Sequence, residues 1–156
     1  MGKTQTPIPA PGAGKRGEAG RIGYLLRQAT GIHRHRMEQV LAEFGITAPQ
    51  FSVLTMLSAY PGISNADVAR LALLTPQTVS VIIGNLERAG LIARQPHEIH
   101  GRIKSLFSTD KGADLLKAAR TQVYKLEEAL VENLTPDEEK VIRRWLVAIA
   151  TGTTGS

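Results

Sequence analysis

The sequence contains no cysteine, which excludes disulfides, thiolate nucleophiles, cysteine redox sensing and cysteine-bound zinc. It has no run of the roughly 18 or more apolar residues that a membrane span needs, and its first residues form no apolar signal core. It also lacks a glycine-rich phosphate loop and a helical metal motif of His and Glu. We therefore expect a cytoplasmic protein, not associated with membranes, that is not an enzyme and carries no cofactor.

The titratable residues give no stronger support for catalysis or metal binding. His97 and His100 are close enough in sequence to share a zinc ion, but they lack obvious further ligands. The pair Glu127-Glu128 is typical of an exposed helix face, and the acidic run at 137–139 is typical of a helix start whose dipole it complements. We predict no metal site and no catalytic residue.

Positive charge is in excess and unevenly distributed. The 19 Lys and Arg residues outnumber the 14 Asp and Glu residues, which gives a net charge of +5. Residues 1–44 carry seven basic and three acidic residues, residues 45–104 carry five and three, and residues 105–156 carry seven and eight. The excess therefore lies outside the C-terminal third, and it favours a polyanionic partner such as double-stranded DNA.

The composition divides the chain into a domain and two ends. Its 156 residues are enough for one domain with a tail. Residues 1–20 contain three prolines, five glycines and almost no large apolar side chain, which predicts a flexible basic tail. We assign residues 21–150 to a single domain and residues 151–156 to a flexible C-terminus.

Helix starts and stops are marked along the first half of this domain. Apolar residues at three- and four-residue spacing predict a long first helix over about 21–44, followed by Gly45 as a stop. Thr47 and Gln50 form a capping-box pattern that opens the next helix, which the Pro-Gly pair at 61–62 ends. Further N-cap residues then predict two short helices joined by a tight connection.

The first of these short helices opens at Ser64, and the second opens at Thr75, which is followed by proline, and ends at Gly90. Residues 91–94 and 103–107 are short and β-prone, and a loop separates them, so they predict a hairpin. Two helices, a tight connection and a hairpin are the order of a winged helix-turn-helix.

We place this winged helix-turn-helix at about 47–108. Helical apolar spacing continues over about 110–150, where Thr135 opens the last helix. The predicted fold is mainly α with a small β-hairpin wing, and its N- and C-terminal helices, about 21–44 and 110–150, serve dimerisation.

The predicted second helix of the motif has the composition of a DNA-reading helix. Its inward positions are apolar, whereas its outward positions are small, polar and nearly uncharged. The outward residues are Gln77, Thr78, Ser80, Val81, Gly84 and Asn85, and the inward residues are Val79, Ile82, Ile83 and Leu86. Gln and Asn pair bidentately with adenine, and Ser and Thr bond base edges or phosphates, so this surface is able to read sequence.

The cationic residues flank that helix. Arg88 follows it, and Arg94, Arg102 and Lys104 belong to the predicted hairpin, which favours a wing that grips phosphates or the minor groove. The helix starts at Ser64 and Thr75 also offer free N–H groups to a phosphate. The alternative is that these two residues only cap their helices.

Several stretches in this order and spacing resemble the MarR-type transcriptional regulators over roughly residues 21–150. The matching stretches are 44–51, 69–71, 75–80, 86–94 and 109–112. The resemblance implies an obligate homodimer on a pseudo-palindromic operator, usually a repressor and often released by a small aromatic or phenolic ligand.

The sequence departs from the family pattern at two positions of the predicted DNA surface. Family wings commonly carry an acidic residue two positions before the key arginine, whereas His100 precedes Arg102 here. Val81 stands where recognition helices of the family often have a basic residue. Affinity is then expected to depend more on the wing and the basic tail, or Val81 meets a thymine methyl group.

The long helices are apolar over more surface than one small winged domain covers, as Trp145 and Ile149 in the last helix illustrate. Dimerisation would cover that surface and place two recognition helices about one turn of DNA, ~34 Å, apart. An intramolecular bundle is the alternative, because helix-packing rules do not distinguish partner chains.

The resemblance also implies a ligand site between the dimerisation helices and the winged part. Candidates by composition are Tyr24, Arg27 and His33 on the first helix and Phe51 on the second, since Arg or His neutralises an aromatic carboxylate on which rings stack. A solvated helix face is the commoner role for such arginines and histidines.

A sequence-specific DNA-binding dimer that represses transcription accounts for these features. The alternatives are a winged-helix module that binds a protein partner without operator specificity, and non-specific DNA coating. Selection of bound genomic fragments distinguishes the three, because only the first enriches a two-fold-symmetric site.

Overall fold

The computed structural model of the chain describes residues 7–96 and 104–153. It divides into two compact units, Met1–Ala48 and Pro49–Ser156. Arg102, His97 and His100, which the sequence singled out, lie outside the described residues.

The first unit contains a short 3-10 turn, Gly14–Arg16, and helix α1, Ile22–Ala42. The turn buries no residue. The flexibility of the tail stays a prediction. Helix α1 matches the predicted first helix to within two residues at either end, and Gly45 follows it in the left-handed region at φ +67°. Leu41 is its buried residue, and most of its apolar side chains are exposed or half-buried.

The second unit carries the remaining helices and a hairpin, in the predicted order. Its elements are α2 (Ala48–Ala59), α3 (Asn65–Ala72), α4 (Pro76–Arg88), β1 (Ile92–Pro96), β2 (Lys104–Ser108), α5 (Asp110–Val131) and α6 (Pro136–Thr151). Thr47 directly precedes α2, and the capping box proposed there with Gln50 stays a prediction. The predicted mainly α fold with a small hairpin is confirmed.

Helices α3 and α4 form the expected helix-turn-helix, since their directions differ by 114° across a three-residue connection. Leu73, in this connection, adopts the left-handed conformation at φ +53° with its side chain 91% exposed. Glycine or asparagine more often occupies such a position, so the turn carries local strain.

Strands β1 and β2 pair antiparallel with Arg94 opposite Leu106 and Pro96 opposite Lys104. The outer edge of β2 is also bonded, because Leu106 donates its N–H to Ile63 O at 3.0 Å and accepts from Gly62 N at 2.9 Å. The segment after α2 therefore fixes the hairpin against the helical core.

The core of the second unit lies among α2, α3, α4, the hairpin and α5. Its fully buried large side chains are Leu54, Leu57, Ile83, Leu86, Leu106, Val53, Val68 and Val79. No single helix among the described residues is long and apolar enough to span a bilayer; α3 and α4 together meet the length and hydropathy criteria only as a sharply bent pair.

The C-terminal helix contributes nothing to that core. Helix α6 has no buried residue, although it carries a series of apolar side chains. The exposed ones are Val141, Ile142, Leu146, Val147 and Ile149. An apolar helix side that its own unit leaves uncovered is typical of a surface that a second chain covers.

Candidate nucleic-acid interface

Helix α4 separates an apolar face from a polar one. It begins with Thr75, whose side chain accepts the Thr78 N–H at 3.2 Å, and Pro76 occupies the first helical position. The four residues predicted to point inward, Val79, Ile82, Ile83 and Leu86, are all buried. Because the inner face is held by the core, the opposite face is presented outward in a fixed orientation.

The outer face consists of small and polar groups at the start of the helix. Gln77, Thr78 and Ser80 are exposed, and Val81 is 63% exposed. Gly84 and Asn85, one turn further on, are half-buried. The hydroxyls of Thr75 and Thr78 lie 2.9 Å apart and share a hydrogen bond, which orients both at the tip of the helix. Donors and acceptors are thus exposed where a helix would meet base edges.

The cations near this face are held by neighbouring polar groups. Arg88 donates to Asn85 Oδ1 one turn before it on α4. Arg94 in β1 pairs its Nε with Glu87 Oε2 at 3.0 Å, which links the wing to the end of α4. Lys104, the first residue of β2, is exposed. Arg88 is thus oriented along α4, and Arg94 connects the wing to the same helix.

Ser64 forms a complete capping box at the start of α3. Its Oγ accepts the Asp67 N–H at 3.2 Å and donates to Asp67 Oδ2 at 2.8 Å, and that carboxylate also accepts the Ser64 N–H at 3.1 Å. The hydrogen bonds from Ser64, with Arg70 nearby, lower the pKa of Asp67 below its usual 3.8. The Ser64 hydroxyl is therefore engaged within the box.

The four residues predicted to bind a ligand are divided between the two units. Tyr24 lines a depression of about 490 Å³ with Lys15, Arg16 and Arg21, whereas Arg27 lines another of about 410 Å³ along α1. Neither lining includes the half-buried His33. Phe51 belongs to the second unit, where it is only 9% exposed.

Sequence reasoning missed one feature of the second unit. A cavity of about 480 Å³ lies between the end of α2, β2 and the first half of α5. Its lining includes the apolar Leu57, Phe107 and Leu116 and, on α5, the polar Lys117, Arg120, Thr121 and Tyr124. Among the described residues, no acidic side chain forms an ion pair with Lys117 or Arg120.

The only signal for this cavity in the sequence is the grouping of Lys117, Arg120 and Tyr124 at helical spacing. The remaining lining residues come from elements far apart in the chain, so the spacing on α5 alone does not reveal it.

In the part of the chain that the structure describes, no cluster of three or more His, Asp or Glu could hold a metal ion.

Comparisons with a protein family, with related sequences and with solved structures agree with the helix-turn-helix and hairpin described above. The sequence model of the MarR family matches residues 44–103, which contain α2, α3, α4 and β1. The HTH-type transcriptional repressor Rv2887 of Mycobacterium tuberculosis is 34% identical over 125 residues, covering 80% of this chain and 90% of the relative.

Two solved structures share the fold. The MepR–DNA complex of Staphylococcus aureus has a TM-score of 0.81 at 27% identity, covering 88% of this chain and 99% of that chain. Rv2887 of M. tuberculosis in complex with salicylic acid has a TM-score of 0.65 at 32% identity, covering 85% and 98%. The chain belongs to the MarR family of winged helix-turn-helix transcriptional regulators.

Proposed function

We propose that this protein is a transcriptional repressor that binds a pseudo-palindromic operator in double-stranded DNA as a homodimer. The observation that carries the proposal is the outward polar face of α4, held in place by four buried residues on the opposite side. The relative Rv2887 is a transcriptional repressor, and MepR has been solved on DNA with the same fold.

In this proposal each part of the motif has its own DNA contacts. Gln77, Thr78, Ser80 and Asn85 read base edges in the major groove, and Val81 meets a thymine methyl group. The ends of the motif hold phosphates through the Thr75 and Ser64 helix starts and through Arg88. The wing adds Arg94, Arg102 and Lys104, of which Arg94 exchanges its Glu87 partner for the DNA backbone.

The homodimer supplies the second recognition helix. The uncovered apolar sides of α6 and of the end of α5 are one surface that a second copy covers, and exposed residues of α1 such as Ile32 provide another. In this arrangement residues 21–150 act as one domain whose terminal helices dimerise. Two-fold symmetry then sets two copies of α4 into successive major grooves ~34 Å apart.

A small aromatic carboxylate or phenol is the effector that releases the repressor. The cavity beside α5 suits this class, because apolar side chains line it while Lys117 and Arg120 are available to neutralise a carboxylate. The alternative site is α1, where Tyr24, Arg27 and His33 were singled out by sequence. Rv2887 has been solved with salicylic acid, which makes salicylate a suitable probe.

The two effector sites are distinguished by matched arginine variants. Calorimetric titration of salicylate should lose affinity in Arg120→Ala and keep it in Arg27→Ala if the α5 cavity binds the carboxylate. The reverse pattern assigns binding to α1, and unchanged affinity in both removes these arginines from effector recognition.

Selection of bound genomic fragments at physiological salt tests the function itself. A sequence-specific repressor enriches a two-fold-symmetric site, and its affinity falls as salt is raised because phosphate contacts release counterions. Salt-sensitive binding without enrichment indicates non-specific coating, and no binding indicates a protein-interaction module. Operator binding also implies a cytoplasmic protein whose activity is recognition and not catalysis.

A further inference from the structure

At the end of α4, the recognition helix, three consecutive backbone carbonyls accept hydrogen bonds from residues at the start of α5. Ala89 O accepts from Lys111 Nζ at 2.8 Å, and Gly90 O accepts from Thr109 Oγ1 at 2.7 Å. Leu91 O accepts the Thr109 N–H at 3.1 Å. Every carbonyl of this short segment is therefore bonded to the first residues of α5.

The end of α4 has a backbone geometry suited to this contact. Gly90 adopts φ +72°, its N–H bonds to Glu87 O at 2.9 Å, and the Leu91 N–H bonds to Leu86 O at 2.9 Å. This is a Schellman motif, which satisfies the earlier helix carbonyls and turns the next three outward. The side chain of Lys111 adds a positive charge at the C-terminal end of the α4 dipole.

The start of α5 fits the segment closely. Thr109 Oγ1 also accepts the Gly112 N–H at 3.1 Å, so one hydroxyl caps α5 while it donates to the end of α4. A Cβ on Gly112 would lie 2.0 Å from Leu91 O, so only glycine allows this approach. The stretch 109–112 thereby joins the end of α4 to the start of α5 through hydrogen bonds and a close backbone approach.

We infer that Thr109 and Lys111 are positioning residues that fix the angle between the recognition helix and α5 and so set the operator half-site spacing that the dimer accepts. The inference rests on the proposed function, because spacing has meaning only for a dimer on two half-sites. Helices α5 and α6 are the C-terminal helices that we assign to dimerisation, so the angle between α4 and α5 determines where each recognition helix lies.

Loosening the α4–α5 junction is expected to change mainly the preference of the dimer for one half-site spacing. One added or removed base pair moves a half-site by about 3.4 Å along the duplex and rotates it by about 35°. A rigid α4–α5 junction cannot follow this shift, whereas a loosened junction can. Loosening should therefore reduce discrimination between spacings more than it reduces affinity for the preferred operator.

The test measures binding of the full chain to its selected operator and to versions with one base pair added or removed between the half-sites. Wild type should prefer the native spacing by about tenfold or more, a penalty comparable to a mismatched base pair. In the double variant Thr109→Val, Lys111→Met this preference should fall to about threefold or less. Thr109→Ser, which keeps the hydroxyl, should retain the wild-type ratio.

Thr135→Val is the matched control, because it removes the same kind of N-cap from α6, away from the recognition helix. Its spacing ratio should match wild type. If wild type shows the preference and the double variant keeps it, the positioning role is wrong while the repressor function stands. If wild type enriches no symmetric site, the proposed function fails and the inference fails with it. If the double variant does not fold, Lys111→Met alone is measured instead, because it leaves the Thr109 cap in place. An unchanged ratio of affinities between spacings in Lys111→Met then overturns the positioning role.

Discussion

Helices α4 and α6 begin in the same way and differ in what covers them. Thr75 and Thr135 both cap through the backbone N–H three residues on, and proline follows each. Helix α4 then buries four large apolar residues, whereas α6 buries none. An amphipathic sequence alone therefore does not tell which of the two helices is covered by its own unit.

This difference indicates which surface covers the apolar side of each helix. The core of the second unit holds the apolar side of α4, so its polar side is left for DNA. The apolar side of α6 is uncovered in this unit, and covering it requires another surface, which we assign to the second copy. Stability of α4 should thus be a property of one chain, and stability of α6 should depend on protein concentration.

The largest effect is expected from truncating the inner face of α4. Ile83→Ala removes a fully buried side chain and should lower the free energy of unfolding by about 2–5 kcal/mol at any protein concentration. Ile142→Ala on α6, where the side chain is 40% exposed, is the matched variant. Urea unfolding at several protein concentrations separates the two, and an equal, concentration-independent loss in both would contradict the comparison.

A charge on the apolar side of α6 should separate the dimer. Leu146→Asp places a carboxylate at a side chain that is 42% exposed in one chain, and the dissociation constant should rise at least about tenfold because that charge is desolvated at the interface. Sedimentation equilibrium measures it. Ile8→Asp in the tail, where the side chain is 83% exposed, is the control. An unchanged oligomeric state in Leu146→Asp would remove α6 from the interface.

Removing either of the two threonine caps should lower stability by a similar amount, but the two removals should differ in their effect on operator binding. Thr75→Ala and Thr135→Ala each lose one N-cap bond, which costs about 1 kcal/mol of stability. Only Thr75→Ala should also weaken operator binding, because its hydroxyl orients Thr78 at the DNA-facing tip. Thermal melts and operator titrations of both variants test this, and equal losses of DNA affinity would mean that the Thr75 cap acts through folding alone.

The smallest effect is expected from acid titration of the capping carboxylates. Hydrogen bonds from Ser64 lower the pKa of Asp67 from 3.8, and those from Thr135 lower the pKa of Glu138 from 4.5. A depressed folded pKa adds stability above the unfolded value, and this stability is lost as pH falls through the folded pKa. Stability of Asp67→Asn should therefore depend less on pH below about 4 than that of wild type.

Chemical denaturation at a series of acidic pH values measures this difference, with Glu138→Gln as the corresponding variant on α6. Its pH dependence should flatten over a window that begins slightly higher, because the ordinary pKa of glutamate is higher. Curves parallel to that of wild type would show that the capping bonds do not persist in solution.

Local signals predicted the elements well, because caps act within a few residues. Ser64, Thr75 and Thr135 each precede a helix in the structure, as their sequence contexts indicated. The strand bounds were less accurate: 91–94 and 103–107 were predicted, and Ile92–Pro96 and Lys104–Ser108 are observed. Pairing register, which depends on both strands, sets those ends.

Features that join distant parts of the chain were not predictable from spacing. The cavity beside α5 needs Leu57, Phe107 and Arg120 together, and the three come from separate elements. The contact of Lys111 with Ala89 O requires the Schellman turn at the end of α4. Leu73 has a left-handed backbone that its residue type disfavours, so only the surrounding helices impose it.

The most direct test of the account is selection of operators by Gln77→Ala beside wild type. Gln77 lies on the exposed face of α4, and removing its amide should relax base preference at one pair of symmetry-related positions while the rest of the site stays the same. That result requires two copies of α4 reading DNA at once. A selected site identical to that of wild type, or a uniform loss across all positions, would contradict base reading by this face.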